Sequence, residues 1–88
     1  EYTYLGIVGE QNAQGFYRIE QRNKFSVGET IEVMKPDGRD LSVKVLRICD
    51  EEGSDMESCP HPKQRIYVDL GIELSDQDLL RRAEKYDN

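Results

Sequence analysis

One histidine, two cysteines, no tryptophan and no long apolar run: the chain is short of the residues on which most catalytic, disulfide-stapled and membrane-bound designs depend. A helix crossing a bilayer needs about 20 consecutive apolar residues, and these residues contain no such stretch. A secreted module of this size usually carries several disulfides, whereas Cys49 and Cys59 allow one at most. Free thiols and a cytoplasmic setting are therefore expected. Bases are also scarce, with 12 Lys and Arg against 18 Asp and Glu and a formal net charge of −6. Non-specific attachment to nucleic acid or anionic membrane depends on a surplus of Lys and Arg. Membrane binding is not expected, and any RNA contact has to be local.

What the chain does have is short, alternating apolar runs. Hydrophobic residues make up 36% of its 88 positions, gathered into periodic segments as in a folded domain rather than thinned out as in a disordered one. A single domain is expected over 1–88, with its core at about 4–82 and a mobile tail at 83–88. Because the chain starts at Glu1 rather than Met, it reads as a piece excised from a longer protein.

The organising stretch runs from Glu20 to Met34. Gly28-Glu29 supplies a sharp turn, and Thr30 to Met34 alternate so that Ile31 and Val33 face a core and Glu32 faces water. Tyr2 to Val8 reads as the first strand, with Gly6 marking a bulge or a close backbone approach. Phe16 to Gln21 reads as the second, with Tyr17 and Ile19 inward and Arg18, Glu20 and Arg22 outward. Lys35-Pro36-Asp37-Gly38 is a tight-turn signal. Asp40 to Cys49 forms a long fourth strand whose apolar phase slips from Leu41, Val43 and Val45 to Leu46 and Ile48, as a bulge would produce. Asp50 to Glu57 holds five acids and no base, predicting a solvated loop kept extended by repulsion. Arg65 to Leu70 is the fifth strand, with Ile66, Val68 and Leu70 inward. Residues 78–82 read as a short closing strand; a helix started by Ser75-x-x-Asp78 is the alternative. The fold class implied is all-β, a small six-stranded antiparallel barrel.

No residue set spells out a reaction. His61 lacks a partner in any nucleophile signature, and Cys59-Pro60-His61 is too stiff and too close in sequence to form one. Cys49, Cys59 and His61 do not have structural zinc spacing, and the acidic loop lacks the ligand pattern of a calcium loop. Neither a catalytic residue, a metal nor a cofactor is expected within this chain. Arg18, Arg22, Lys24, Lys63 and Arg65 form a local basic grouping with Tyr67 beside it. These residues would touch phosphates or stack a base if the second and fifth strands were neighbours. The alternative, preferred on charge alone, is that they pair with Glu20, Glu32 and Asp69 across strands.

The run Glu20-Gln21-Arg22-Asn23-Lys24-Phe25-Ser26-Val27-Gly28-Glu29 with Ile31 to Met34, then Pro36-x-Gly38-Arg39, then His61-Pro62-Lys63-Gln64, resembles the C-terminal domain of peptidase family U-32, the collagenase-like proteases. The likeness covers Leu5 to about Arg82. It implies a six-stranded barrel like the second domain of elongation factor Tu, appended to an N-terminal catalytic domain of the same parent. It also implies either a peptidase or an enzyme that hydroxylates transfer or ribosomal RNA, with any iron–sulfur cluster on cysteines outside this chain. Two departures stand out: Glu29 replaces an expected Asp, and Ser75-Asp76-Gln77-Asp78 replaces an expected Pro-Gly-Asp turn. The resemblance points to Arg22, Asn23, Lys24, His61, Lys63 and Gln64 as the residues facing a substrate or the catalytic domain. The reading adopted is a non-catalytic lid or substrate-docking domain for that catalytic domain, on a protein or peptide substrate; the alternative is an RNA-binding domain, and a third is a self-association module with a patch at Tyr2, Tyr4 and Phe16. The isolated domain is expected to be monomeric.

Overall fold

The computed structural model describes residues 1–61 and 63–84. All regular structure among them is strand: β1 (Tyr2–Gln11), β2 (Tyr17–Gln21), β3 (Thr30–Met34), β4 (Asp40–Lys44), β5 (Arg47–Cys49), β6 (Asp55–Met56), β7 (Ile66–Asp69) and β8 (Leu79–Ala83). One antiparallel sheet in the order β4-β3-β8-β1-β2-β7-β5-β6 curls into a half-barrel. Its two ends approach through a single bridge, Ser26 to Ser58, and through Val27 N–H donating to the Glu57 carbonyl at 2.8 Å. Leu5, Val8, Ile19, Ile31, Val33, Ile48, Ile66, Val68 and Leu80 fill the concave side, each drawn from the inward phase of a strand.

The all-β class holds; the strand count rises from six to eight for two reasons. The long fourth strand divides at Val45 and Leu46. β4 pairs with β3 while β5 pairs with β7 and β6, so one stretch of chain passes from one end of the sheet to the other. Val43, Val45 and Ile48 are buried, a spacing that requires the expected phase slip. Leu46, expected on a buried face, is instead 47% exposed.

The acidic loop is also not extended. Asp50 Oδ1 accepts from the amides of Glu52 and Ser54, and Gly53 N–H donates to the Asp50 carbonyl. These bonds fold the segment into a tight hairpin whose return arm is β6. Local side-chain acceptors outweigh the repulsion between exposed acids, which solvent screens.

The tail resolves as a strand. β8 lies between β3 and β1 in the middle of the sheet, with Leu80 fully buried. Ala83 belongs to it, and Glu84 N–H donates to the Glu1 carbonyl at 3.0 Å, so two residues expected in the mobile tail are paired. The remainder of that tail, 85–88, lies outside the described residues. The β1–β8 register shifts between Tyr4 and Gly6, and a Cβ on Gly6 would come within 2.5 Å of the Glu20 carbonyl oxygen. Gly6 thus has both properties expected of it. Glu32, expected to face water, is half-buried and accepts from Arg81 at 2.8 Å.

Candidate nucleic-acid interface

β2 and β7 are hydrogen-bonded neighbours, with Arg18 opposite Tyr67 and Ile19 opposite Ile66. That adjacency brings Arg18 and Arg22, on the outward phase of β2, beside Lys63, Gln64 and Arg65 in the approach to β7. Together with the β2 stretch Ile19 to Gln21 they line a groove of about 580 Å³.

The wall that presents Lys63 is pinned rather than loose. Gln21, buried on the inward phase of β2, donates through Nε2 to the Cys59 carbonyl at 3.0 Å. The Cys59 thiol donates in turn to the His61 carbonyl at 3.2 Å, and Gln64 N–H donates to the same carbonyl at 3.1 Å. Cys59 is completely buried, so a core anchor ties down the chain around His61 and Gln64, beside which Lys63 is exposed.

Four cations and one carboxylate, Glu20, line the groove. Arg22 pairs with Glu20 at 2.9 Å, while Arg18 and Arg65 reach Glu10 and Glu51 only at 3.7 Å. Among the described residues Lys63 has no carboxylate within ion-pairing distance. Exposed pairs of this kind are worth little, so a phosphate competes with Glu10 and Glu51 at small cost. Of the partners expected for the basic grouping, Glu20 is used, Glu32 binds Arg81 instead, and Asp69 accepts from Gly71 N–H.

Three of the six motif residues, Arg22, Lys63 and Gln64, therefore meet in the groove. Asn23 does not join them: its Nδ2 donates to the Tyr4 carbonyl at 2.7 Å, which fixes the turn after β2. Lys24 and His61 are exposed but outside the groove lining. Lys24 supplies its carbonyl to Arg82. The same arginine donates to Glu29 Oε1, while Glu29 Oε2 accepts from Ser26 N–H at 2.7 Å. Partial burial pushes the Glu29 carboxyl up, but the Arg82 and Ser26 hydrogen bonds and the guanidinium charge outweigh it and hold the group below its ordinary range.

Sequence reasoning missed two features. Phe25 is 1% exposed and anchors the motif loop to the core, although it stands in a polar run with no strand periodicity around it. Arg47 lies over the Phe16 ring at 5.0 Å, a pairing between residues 31 positions apart with no local signal. The patch suggested at Tyr2, Tyr4 and Phe16 does not form. Tyr2 and Tyr4 lie at one end of β1, and Phe16 follows the turn at its other end. Among the described residues no three His, Cys, Asp or Glu side chains converge to hold a metal. Both thiols are free and buried. Burial and the hydrogen bond to Asp55 push the Cys49 thiol up, the opposite of what an activated nucleophile needs.

The profile of the peptidase family U32 C-terminal domain matches residues 1–81. The chain belongs to this family. The U32 domain fold is also that of two crystal structures of the C-terminal domain of a Geobacillus thermoleovorans protein assigned to the U32 peptidases. One, a selenomethionine variant, aligns with a TM-score of 0.78 at 23% identity over 91% of this chain and 99% of that one. The other aligns with a TM-score of 0.79 at 23% identity over 92% of each chain. Among curated proteins, this U32 domain is similar to tRNA hydroxylation protein P1 of Bacillus subtilis (strain 168), at 24% identity over 85 residues. The match covers 94% of the present chain and 20% of that relative, so the chain spans about a fifth of the relative's length.

Proposed function

We propose that this U32 C-terminal domain is a non-catalytic docking domain that holds structured RNA for a catalytic domain elsewhere in its parent protein. The observation that carries this reading is the groove between β2 and the approach to β7, where Arg18, Arg22, Lys63 and Arg65 converge. Guanidinium and ammonium groups gathered in one groove suit the phosphates of a nucleic-acid backbone. A peptide substrate would be better served by an open strand edge or by apolar side-chain pockets, so the groove chemistry favours RNA over a protein-substrate lid. The similarity to a tRNA hydroxylation protein supports the same choice. An accessory role fits the buried thiols and the exposed single histidine, none of which is paired as a nucleophile and base would be. Two free thiols also suit a reducing, cytoplasmic compartment.

With a net charge of −6, the domain's phosphate contacts are confined to the groove, and the salt dependence is correspondingly modest. Titrating the domain with a transfer RNA transcript at several salt concentrations tests this. A log–log slope matching roughly two to four phosphate contacts is expected, reduced by about one for Lys63→Ala. Binding too weak to measure at low salt, or a slope unchanged by Arg22→Ala and Lys63→Ala, would rule the reading out.

A further inference from the structure

A second cleft, of about 310 Å³, lies between two turns and is lined by Gln14, Phe16, Arg47, Cys49 and Gly53. One wall is the turn joining β1 to β2, built on Asn12, whose side chain accepts from the Gln14 and Phe16 amides at 3.0 and 2.9 Å. The other is the Asp50 hairpin, where Gly53 lies so close to Gln14 that an added Cβ would be 3.9 Å from its side-chain nitrogen. The Arg47 guanidinium lies over the Phe16 ring and is held there by Asp55 Oδ1, which accepts from both Nε and an outer nitrogen at 3.1 and 2.8 Å.

The cleft shares a face with the cationic groove. Phe16 is in phase with Arg18, Glu20 and Arg22 on the outward side of β2, and Tyr67 stands between the two sites, opposite Arg18 on β2 and Cys49 on β5. Phe16 immediately precedes β2 and Arg22 immediately follows it, so at about 3.3 Å per strand residue the strand alone separates them by ~13 Å, a reach of a few nucleotides. The chemistry changes along that path. Arg18 and Arg65 reach carboxylates only at 3.7 Å and suit phosphates, as does Lys63, whereas Arg47 is held by two hydrogen bonds to Asp55 and offers a flat, pre-oriented surface beside an aromatic ring. Such a pair stacks a nucleobase and does little for a phosphate.

We propose that the Phe16–Arg47 cleft receives an unpaired base of an RNA strand whose backbone lies in the groove. This rests on the RNA-docking reading above and adds that the substrate is RNA with an exposed base, such as a loop, rather than a plain duplex. A duplex keeps its bases stacked inside, out of reach of the cleft.

Because the chain has no tryptophan, Phe16→Trp places a single reporter in the cleft. Its emission should be quenched by a stem-loop RNA and left unchanged by a blunt duplex of equal phosphate count. In the otherwise native chain, Phe16→Ala and Arg47→Lys should each reduce the preference for stem-loop over duplex at least five-fold, with duplex affinity retained. Arg22→Ala and Lys63→Ala should weaken both RNAs alike. If the stem-loop fails to quench the reporter, or the preference survives Phe16→Ala and Arg47→Lys while the groove variants still weaken binding, the cleft assignment is wrong and the docking reading stands. If neither RNA binds, both fall.

Discussion

Lys35 Nζ donates to Asp78 Oδ2 at 2.5 Å, joining the end of β3 to the residue before β8, and the aspartate has no exposed surface at all. The same oxygen accepts from Ser75 N–H at 2.8 Å, so one carboxylate fixes both the turn before β8 and the hairpin after β3. Removing one partner of such a pair leaves an uncompensated buried charge, which typically costs about 3–5 kcal/mol. Lys35→Met should lower the unfolding free energy by that much at neutral pH, read in urea as a lower midpoint with little change in the m-value. A shift under 1 kcal/mol would mean that water reaches Asp78 after all.

Gln77 has φ of 76°, a left-handed conformation that a non-glycine residue adopts at a cost of roughly 1–2 kcal/mol. Its amide is held by the Val8 carbonyl at 2.9 Å, so the turn cannot relax without losing a bond to β1. Gln77→Gly removes the strain and is expected to stabilise the domain by up to about 1 kcal/mol, after allowing for the greater freedom of glycine in the unfolded chain. Thermal unfolding of the pair of proteins would register this as a higher Tm; an unchanged or lower one counts against the strain.

Gly6→Ala drives a methyl group to 2.5 Å from a carbonyl oxygen of the neighbouring strand. The clash is with backbone, which cannot swing away, and should cost roughly 2–3 kcal/mol. Hydrogen exchange would locate the damage at the β1–β2 ladder between Gly6 and Gln21 before the rest of the sheet responds.

Glu29 sets a pH dependence. Its carboxyl is held below its ordinary value, so its contribution is fully present above the unfolded carboxylate pKa and is lost as pH falls through the lower folded one. Glu29→Gln should therefore be less stable than the native chain at pH 7, by about 1 kcal/mol for a half-buried pair. The gap should narrow below about pH 4.5 as the native Glu29 gains its proton. Parallel stability curves from pH 7 to pH 3 would show that the Arg82 contact carries no weight.

Much of the fold was legible because strand burial has period two. Tyr17 and Ile19, Ile31 and Val33, and Ile66 and Val68 all face the core as their spacing requires. The split of the fourth strand was visible as a phase slip. Its outcome at Leu46 was not, because burial there depends on how the chain crosses to β7, where Leu46 N–H donates to the Asp69 carbonyl. The eighth strand was ambiguous since Leu79, Leu80 and Ala83 fit a helical stripe as well as a short strand; pairing on both sides decided it. For the site, the sequence showed which cations were available, but only the β2–β7 pairing brings Arg18 and Arg22 to Lys63 and Arg65. Tertiary pairs such as Phe16 with Arg47, or Lys35 with Asp78, leave no trace in local pattern.

The contact between Glu84 and Glu1 has an architectural consequence. Because β1 and β8 are adjacent and antiparallel, a short linker could join the described ends while a cut at the Asp37-Gly38 turn opened new ones, and every strand pairing would survive. Such a circular permutant should fold to the same half-barrel with both its groove and its cleft intact, which would allow the domain to be grafted onto another protein by a different point of its circumference.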